Sequence, residues 1–86
     1  MKNVTIYTKD YCPYCVKAKT LLTRKGISSP IEIDITHDEN LQQEMINKSG
    51  GRRTVPQIFI GDTHVGGCDD LYALEKEGKL TALLAE

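Results

Sequence analysis

Val4-Thr5-Ile6-Tyr7-Thr8-Lys9-Asp10-Tyr11-Cys12-Pro13-Tyr14-Cys15 sets the plan of the chain. The first five of these residues are β-branched or aromatic and read as a strand, central in its sheet. Lys9-Asp10-Tyr11 is a connecting loop. From Pro13 the period changes: Cys15, Ala18, Leu21 and Leu22 fall on one face of a helix running to Lys25, with Lys17, Lys19, Arg24 and Lys25 mostly elsewhere. Pro13 suits the first helical position, where a missing N–H costs nothing and a fixed φ pre-forms the turn. Cys12 then falls at the N-cap, where unpaired backbone donors and the positive end of the helix dipole favour an anion. A thiolate is such an anion, and thiols so placed titrate at about 3.5–7.5 rather than about 8.5. Cys12 is therefore expected to be largely ionised near neutral pH. Cys15 shares the face of Cys12 one turn further in, close enough for a sulfur–sulfur bond. It receives less of the dipole's field and is expected to be more buried. The asymmetry makes Cys12 the attacking thiol and Cys15 the resolving one.

Half a zinc site would show the same C-x-x-C. Structural zinc takes four ligands, and the remaining candidates, Cys68, His37 and His64, stand singly in the sequence. No metal is therefore expected. A purely structural disulfide fits a chain made for an oxidising compartment, and no export signal is visible. A C-x-x-C that follows a strand and opens a helix reads as a redox motif.

The 86 residues are expected to form one domain, 1–86, whose modest core folds without staples. Eleven basic against twelve acidic residues leave a net charge of −1, which implies neither a nucleic-acid partner nor a membrane surface. Met1-Lys2-Asn3 runs straight into the first strand, with no signal or transit pattern and no apolar run approaching the roughly 18 residues of a membrane span. The expected setting is the cytoplasm, where thiols stay reduced and the chain acts as a monomer.

Beyond the first helix, Gly26 serves as a C′ residue and Ser28-Ser29-Pro30 as a turn. Ile31-Glu32-Ile33-Asp34-Ile35 alternates as a second strand, parallel to the first across a right-handed crossover. Thr36 or Asp38 caps a helix to about Lys48, with Leu41, Met45 and the stem of Lys48 facing the core. Ser49-Gly50-Gly51-Arg52-Arg53 is a flexible basic loop. Thr54-Val55-Pro56-Gln57-Ile58-Phe59-Ile60 is a third strand, with Pro56 at its head where a cis bond can redirect the chain. Gly61-Asp62 turns into a short return strand, Thr63-His64-Val65, making an antiparallel hairpin. Gly66-Gly67 permits close backbone approach, and Cys68-Asp69-Asp70 opens a third helix to about Glu77. Gly78 ends it, and Leu80, Leu83 and Leu84 mark a short last helix against the sheet.

The order βαβαββα, with C-P-Y-C after the first strand, T-V-P before the third and G-G-C-D-D opening the third helix, resembles the glutaredoxins over essentially the whole chain. The resemblance implies the α/β thioredoxin-like fold, with a four-stranded mixed sheet in the order 2-1-3-4 flanked by helices. It implies glutathione as co-substrate, with no tightly bound cofactor. Carried over by motif, Val55 before Pro56 pairs its backbone with the glutathione cysteine like an added strand. The helix N-terminus at Gly67, Cys68 and Asp69 receives the γ-glutamyl carboxylate, and the Asp69 side chain meets the ammonium. Lys9 and Tyr14 line the glycyl end, and Thr54 is a hydrogen-bonding neighbour. The basic loop is a residue longer than the family's short loops, which leaves open whether Arg52 or Arg53 reaches the glycyl carboxylate.

The implied activity is thiol–disulfide exchange on glutathionylated and disulfide-bonded client proteins through Cys12 and Cys15. An iron–sulfur carrier of the same family goes mainly with a C-G-F-S-type motif, against which Pro13 and Cys15 argue. A redoxin fed by thioredoxin reductase would lack the glutathione-site motifs. Plainer roles fall to other residues. Cys68 packs like a small apolar group. Asp69 and Asp70 sit where helix caps do. Tyr7 and Tyr72 are core-edge side chains, and His37 and His64 are surface ones.

Overall fold

Val4–Thr8 forms strand β1 with the bounds the sequence predicts, and the sheet grows from both its edges. Residues 2–85 are described by the structure, a computed structural model; residues 1 and 86, placed in the single domain by the sequence, lie outside it. After β1 come α1 (Pro13–Arg24), β2 (Ile31–Asp34), α2 (Glu39–Lys48), β3 (Gln57–Ile60), β4 (Thr63–Gly66), α3 (Cys68–Lys76) and α4 (Leu80–Ala85). The sheet runs β2-β1-β3-β4. β1 and β2 are parallel, Thr5 opposite Ile31, while β3 pairs antiparallel with β1 and β4 with β3. This is the expected thioredoxin-like fold.

The period-2 alternation of β1 divides the core between two faces. Val4 and Ile6 point, with Ile58 and Ile60 of β3, toward Ala18, Leu21 and Leu22 of α1, Leu71 of α3, and Leu80 and Leu84 of α4. Tyr7 points the other way, joining Ile35, Met45 and the half-buried Leu41, Ile46, Val55 and Phe59. The second core is smaller because α2 alone covers it; ten residues of helix reach only about 15 Å. Ile31, at the start of the edge strand β2, is 53% exposed. One expectation needs correction. Lys48 points outward and pairs with Glu44 at 3.9 Å, its side chain 58% exposed, rather than laying its stem on the core. Asp38, and not Thr36, caps α2, its Oδ1 accepting from the Leu41 N–H at 3.0 Å.

The antiparallel registers bring three segments to one end of the sheet. β3 begins beside the end of β1, with Gln57 opposite Tyr7. β4 ends beside the start of β3, with Gly66 opposite Ile58. The loop after β1, the Val55–Pro56 segment and the start of α3 consequently meet there.

Candidate active site

The loop after β1 is pinned before it reaches the first cysteine. The Asp10 N–H donates to Thr36 Oγ1 at 2.8 Å, and both the hydroxyl and the N–H of Thr36 donate to Asp34 Oδ1. Those two donors hold the Asp34 carboxyl below its ordinary range. Tyr11 follows with φ 57°, a left-handed residue that turns its ring fully into solvent.

Cys12 is the N-cap of α1, as expected, with extended backbone (φ −117°, ψ 99°) and Pro13 in the first turn. Its Sγ accepts the Cys15 N–H at 3.2 Å, filling one of the donor positions that a helix start leaves open. Cys12 and Cys15 are paired as a disulfide across a Cα–Cα distance of 5.2 Å. Cys12 is half-buried and Cys15 only 2% exposed, so an incoming sulfur meets Cys12. Across from them the Val55–Pro56 bond is cis, and the Val55 carbonyl oxygen lies 4.0 Å from Cys12 Sγ.

Beside the cysteines opens a cleft of about 320 Å³, of small-ligand size. One wall is Tyr14 with Thr54, Val55 and Pro56; the other is Gly67, Cys68, Asp69 and Asp70, with Arg52 against Asp70. The sequence-predicted Tyr14, Thr54, Val55, Pro56, Gly67, Cys68 and Asp69 are thus brought together. Lys9 is exposed and is not among the lining residues. Of the two arginines left open, Arg52 lines the cleft and Arg53 does not.

Gly67 is the N-cap of α3, and its N–H donates to Asp70 Oδ2 at 2.9 Å. The same oxygen accepts from Arg52 Nη1 at 3.1 Å. The Gly67 N–H first, and the guanidinium after it, hold the Asp70 carboxyl below the ordinary carboxylate range. Asp70 is therefore committed to the cap and to Arg52, whereas Asp69 is exposed. Gly66 makes room for this arrangement. It sits at φ 116°, and a Cβ there would collide with the Asp70 carboxylate and lie 2.8 Å from Arg52 Nη1. Cys68 is buried, and burial pushes its thiol upward, partly offset by Lys17, as suits a packing residue.

His64 departs from its expected surface place. Its ring lies against Phe59 (centroids 4.9 Å apart, planes at 32°), and its Nε2 is 2.7 Å from Oε1 of the fully buried Gln57. Burial first, then the nearby Arg52, hold its pKa below the ordinary imidazole value, with Asp70 opposing. The one sequence clue to this pair was a glutamine at an inward position of an otherwise apolar strand.

The model of the glutaredoxin family matches residues 4–65. Glutaredoxin 3 of Escherichia coli is 56% identical over 84 residues, covering 98% of this chain and 99% of that protein. This chain belongs to the glutaredoxin family. Among solved structures, the glutaredoxin of Brucella melitensis superposes with a TM-score of 0.83 at 60% identity, covering 98% of this chain and 89% of its own. A buckwheat glutaredoxin–glutathione complex superposes with a TM-score of 0.85 at 31% identity, covering 98% of this chain and 77% of the other. Glutaredoxins are glutathione-dependent thiol–disulfide oxidoreductases, and this one is of the dithiol type, with Cys12 and Cys15 as its redox pair.

Proposed function

We propose that the cleft beside Cys12 binds the glutathione moiety of mixed disulfides, and that the protein works as a cytoplasmic monomer, one domain over 1–86, with glutathione as co-substrate and no resident cofactor. The observation that carries this reading is the cleft itself: the backbone at the cis Val55–Pro56 bond, a helix N-terminus and the exposed Asp69 carboxylate converge beside the Cys12–Cys15 pair. In it the Val55 backbone pairs with the tripeptide's cysteine in the manner of an added strand. The open N–H groups of Cys68 and Asp69 at the start of α3 receive the γ-glutamyl carboxylate. The Asp69 carboxylate meets the ammonium. Arg52, held by Asp70 at the far wall, faces the glycyl carboxylate, with Tyr14 and Thr54 alongside. Lys9, on the loop before Cys12, acts as a charge that attracts the anionic tripeptide rather than as a wall of the cleft.

The chemistry follows from two sulfurs of unequal exposure. The Cys12 thiolate attacks the glutathione sulfur of a client mixed disulfide, forming a Cys12–glutathione disulfide and expelling the client thiolate, which takes a proton from water. A second glutathione thiolate attacks the bound glutathione sulfur, releasing glutathione disulfide and the Cys12 thiolate. With a disulfide-bonded client, Cys12 forms the mixed disulfide and the Cys15 thiolate attacks the Cys12 sulfur. The client leaves reduced, and the Cys12–Cys15 disulfide is then reduced by two glutathiones.

Asp69→Ala tests the cleft. Removing one charge-assisted contact is expected to raise KM for a glutathionylated peptide about tenfold, with little change in Tm. An unchanged KM in a folded variant would count decisively against the site.

A further inference from the structure

Gln57 is a polar side chain with no exposed surface, heading an otherwise apolar central strand, and its side-chain amide nitrogen and oxygen are both engaged. Its Nε2 donates to the Thr54 carbonyl oxygen at 3.0 Å and to Thr54 Oγ1 at 3.2 Å. Because a carbonyl oxygen only accepts, the amide nitrogen must face Thr54, and Oε1 must face His64. His64 Nε2, 2.7 Å away, must then carry the proton and donate it. A single chain of hydrogen bonds thus runs from His64 on β4 through Gln57 on β3 to Thr54 on the wall of the cleft. His64 is itself held by its stack on Phe59, with Arg52 and Asp70 as the neighbouring charges.

We infer that Gln57 and His64 are positioning residues for the substrate cleft, fixing through this chain the Thr54-Val55 segment against which the glutathione moiety lies. The inference rests on the cleft being the glutathione site. Thr54 is exposed, yet both its carbonyl and its hydroxyl are tied inward by Gln57, and Val55, the next residue, brings its carbonyl 4.0 Å from Cys12 Sγ. Gln57 without the His64 donor has a buried acceptor unpaired; the amide then turns or shifts, and Thr54 loses its anchor. The consequence falls on binding, where the cleft's edge is read, rather than on the sulfur chemistry at Cys12.

His64→Phe keeps a ring against Phe59 and removes the donor; His64→Gln returns an N–H donor. For the phenylalanine variant, KM for a glutathionylated peptide is expected to rise about three- to tenfold, with kcat within about twofold, and the glutamine variant is expected to recover most of the loss. An unchanged KM in folded His64→Phe, or no recovery in His64→Gln, overturns the inference. In the unaltered ¹⁵N-labelled protein, the neutral His64 ring is expected as the Nε2–H tautomer and the Gln57 side-chain amide protons as slowly exchanging. An Nδ1–H tautomer or fast exchange overturns the inference too, and decides it should His64→Phe fail to fold. These two measurements involve no glutathione. An Asp69→Ala variant with unchanged KM therefore removes the cleft reading, whereas the wrong tautomer removes this one.

Discussion

Cys12 takes its chemistry from its position. At the N-cap its sulfur already accepts the Cys15 N–H, and the remaining open donors and the dipole of α1 bear on the same atom. The reduced protein is therefore expected to show a thiolate titrating well below the ordinary value of about 8.5, within the range of about 3.5–7.5, and Cys12→Ser is expected to lose that transition. Thiolate absorbance followed against pH checks this; identical titrations in the two proteins would remove the proposed activation. Gly66 is decisive for another reason. An alanine there would need φ 116° and would put its Cβ into Asp70 and Arg52, so Gly66→Ala is expected to lose about 1–3 kcal/mol in chemical denaturation. An unchanged denaturation midpoint would mean that the Arg52–Asp70 contact yields freely. The redox pair was legible because it is local: a cap, a proline and a spacing of three are written in consecutive residues. The Arg52–Asp70 pair was not, since its partners stand 18 residues apart on a loop and a helix, and of the Gln57–His64 pair only the inward-facing glutamine left a trace.

At the scale of elements, the start of α3 joins a stabilising cap to the wall of the cleft proposed to bind glutathione. Asp70 closes the cap by accepting the Gly67 N–H, and Cys68 and Asp69, the next two residues, line the cleft. Asp70→Ala is expected to cost about 0.5–2 kcal/mol, most of it from the cap, because the ion pair with Arg52 is half-exposed and screened. The sign of the pH dependence follows from the direction of the shift. The folded carboxyl is held below its ordinary value of 3.8, so its contribution is complete above that pH and is lost as pH falls through the lower folded value. The stability gap between the parent and Asp70→Ala, measured by denaturation, is expected to hold from neutral pH down to the onset of carboxyl protonation and to narrow below it. A gap that widened on acidification would contradict the cap assignment. The same scale shows how far local pattern carries. β1, and α1 to within its capping residue, lie where alternation and helical period place them, because both sit against a full core. β2 follows its alternation only in part, since how much of an edge strand a short helix covers is decided by packing.

The whole molecule gathers the Cys12 loop, the Val55–Pro56 segment and the start of α3 at one end of its sheet, and the unequal burial of the two cysteines there separates two reactions. Removing glutathione from a client needs only Cys12, the more accessible of the two sulfurs, since a second glutathione clears the enzyme. Reducing a client disulfide leaves Cys12 tied to a bulky protein. Cys15, one helical turn away and 5.2 Å distant by Cα, then attacks at an effective concentration that free glutathione does not match. Cys15→Ser is accordingly expected to keep deglutathionylation, even to speed it by abolishing the internal disulfide, while losing at least about tenfold in protein-disulfide reduction. Cys12→Ser is expected to lose both. The side chain of Cys15 is buried, so the serine variant's fold is checked by its thermal transition before the rates are compared. With a glutathionylated peptide and a disulfide-bonded client assayed side by side, loss of both activities in folded Cys15→Ser would show that Cys12 is not the sole attacking thiol. Retention of both would show that glutathione, and not Cys15, resolves the client intermediate.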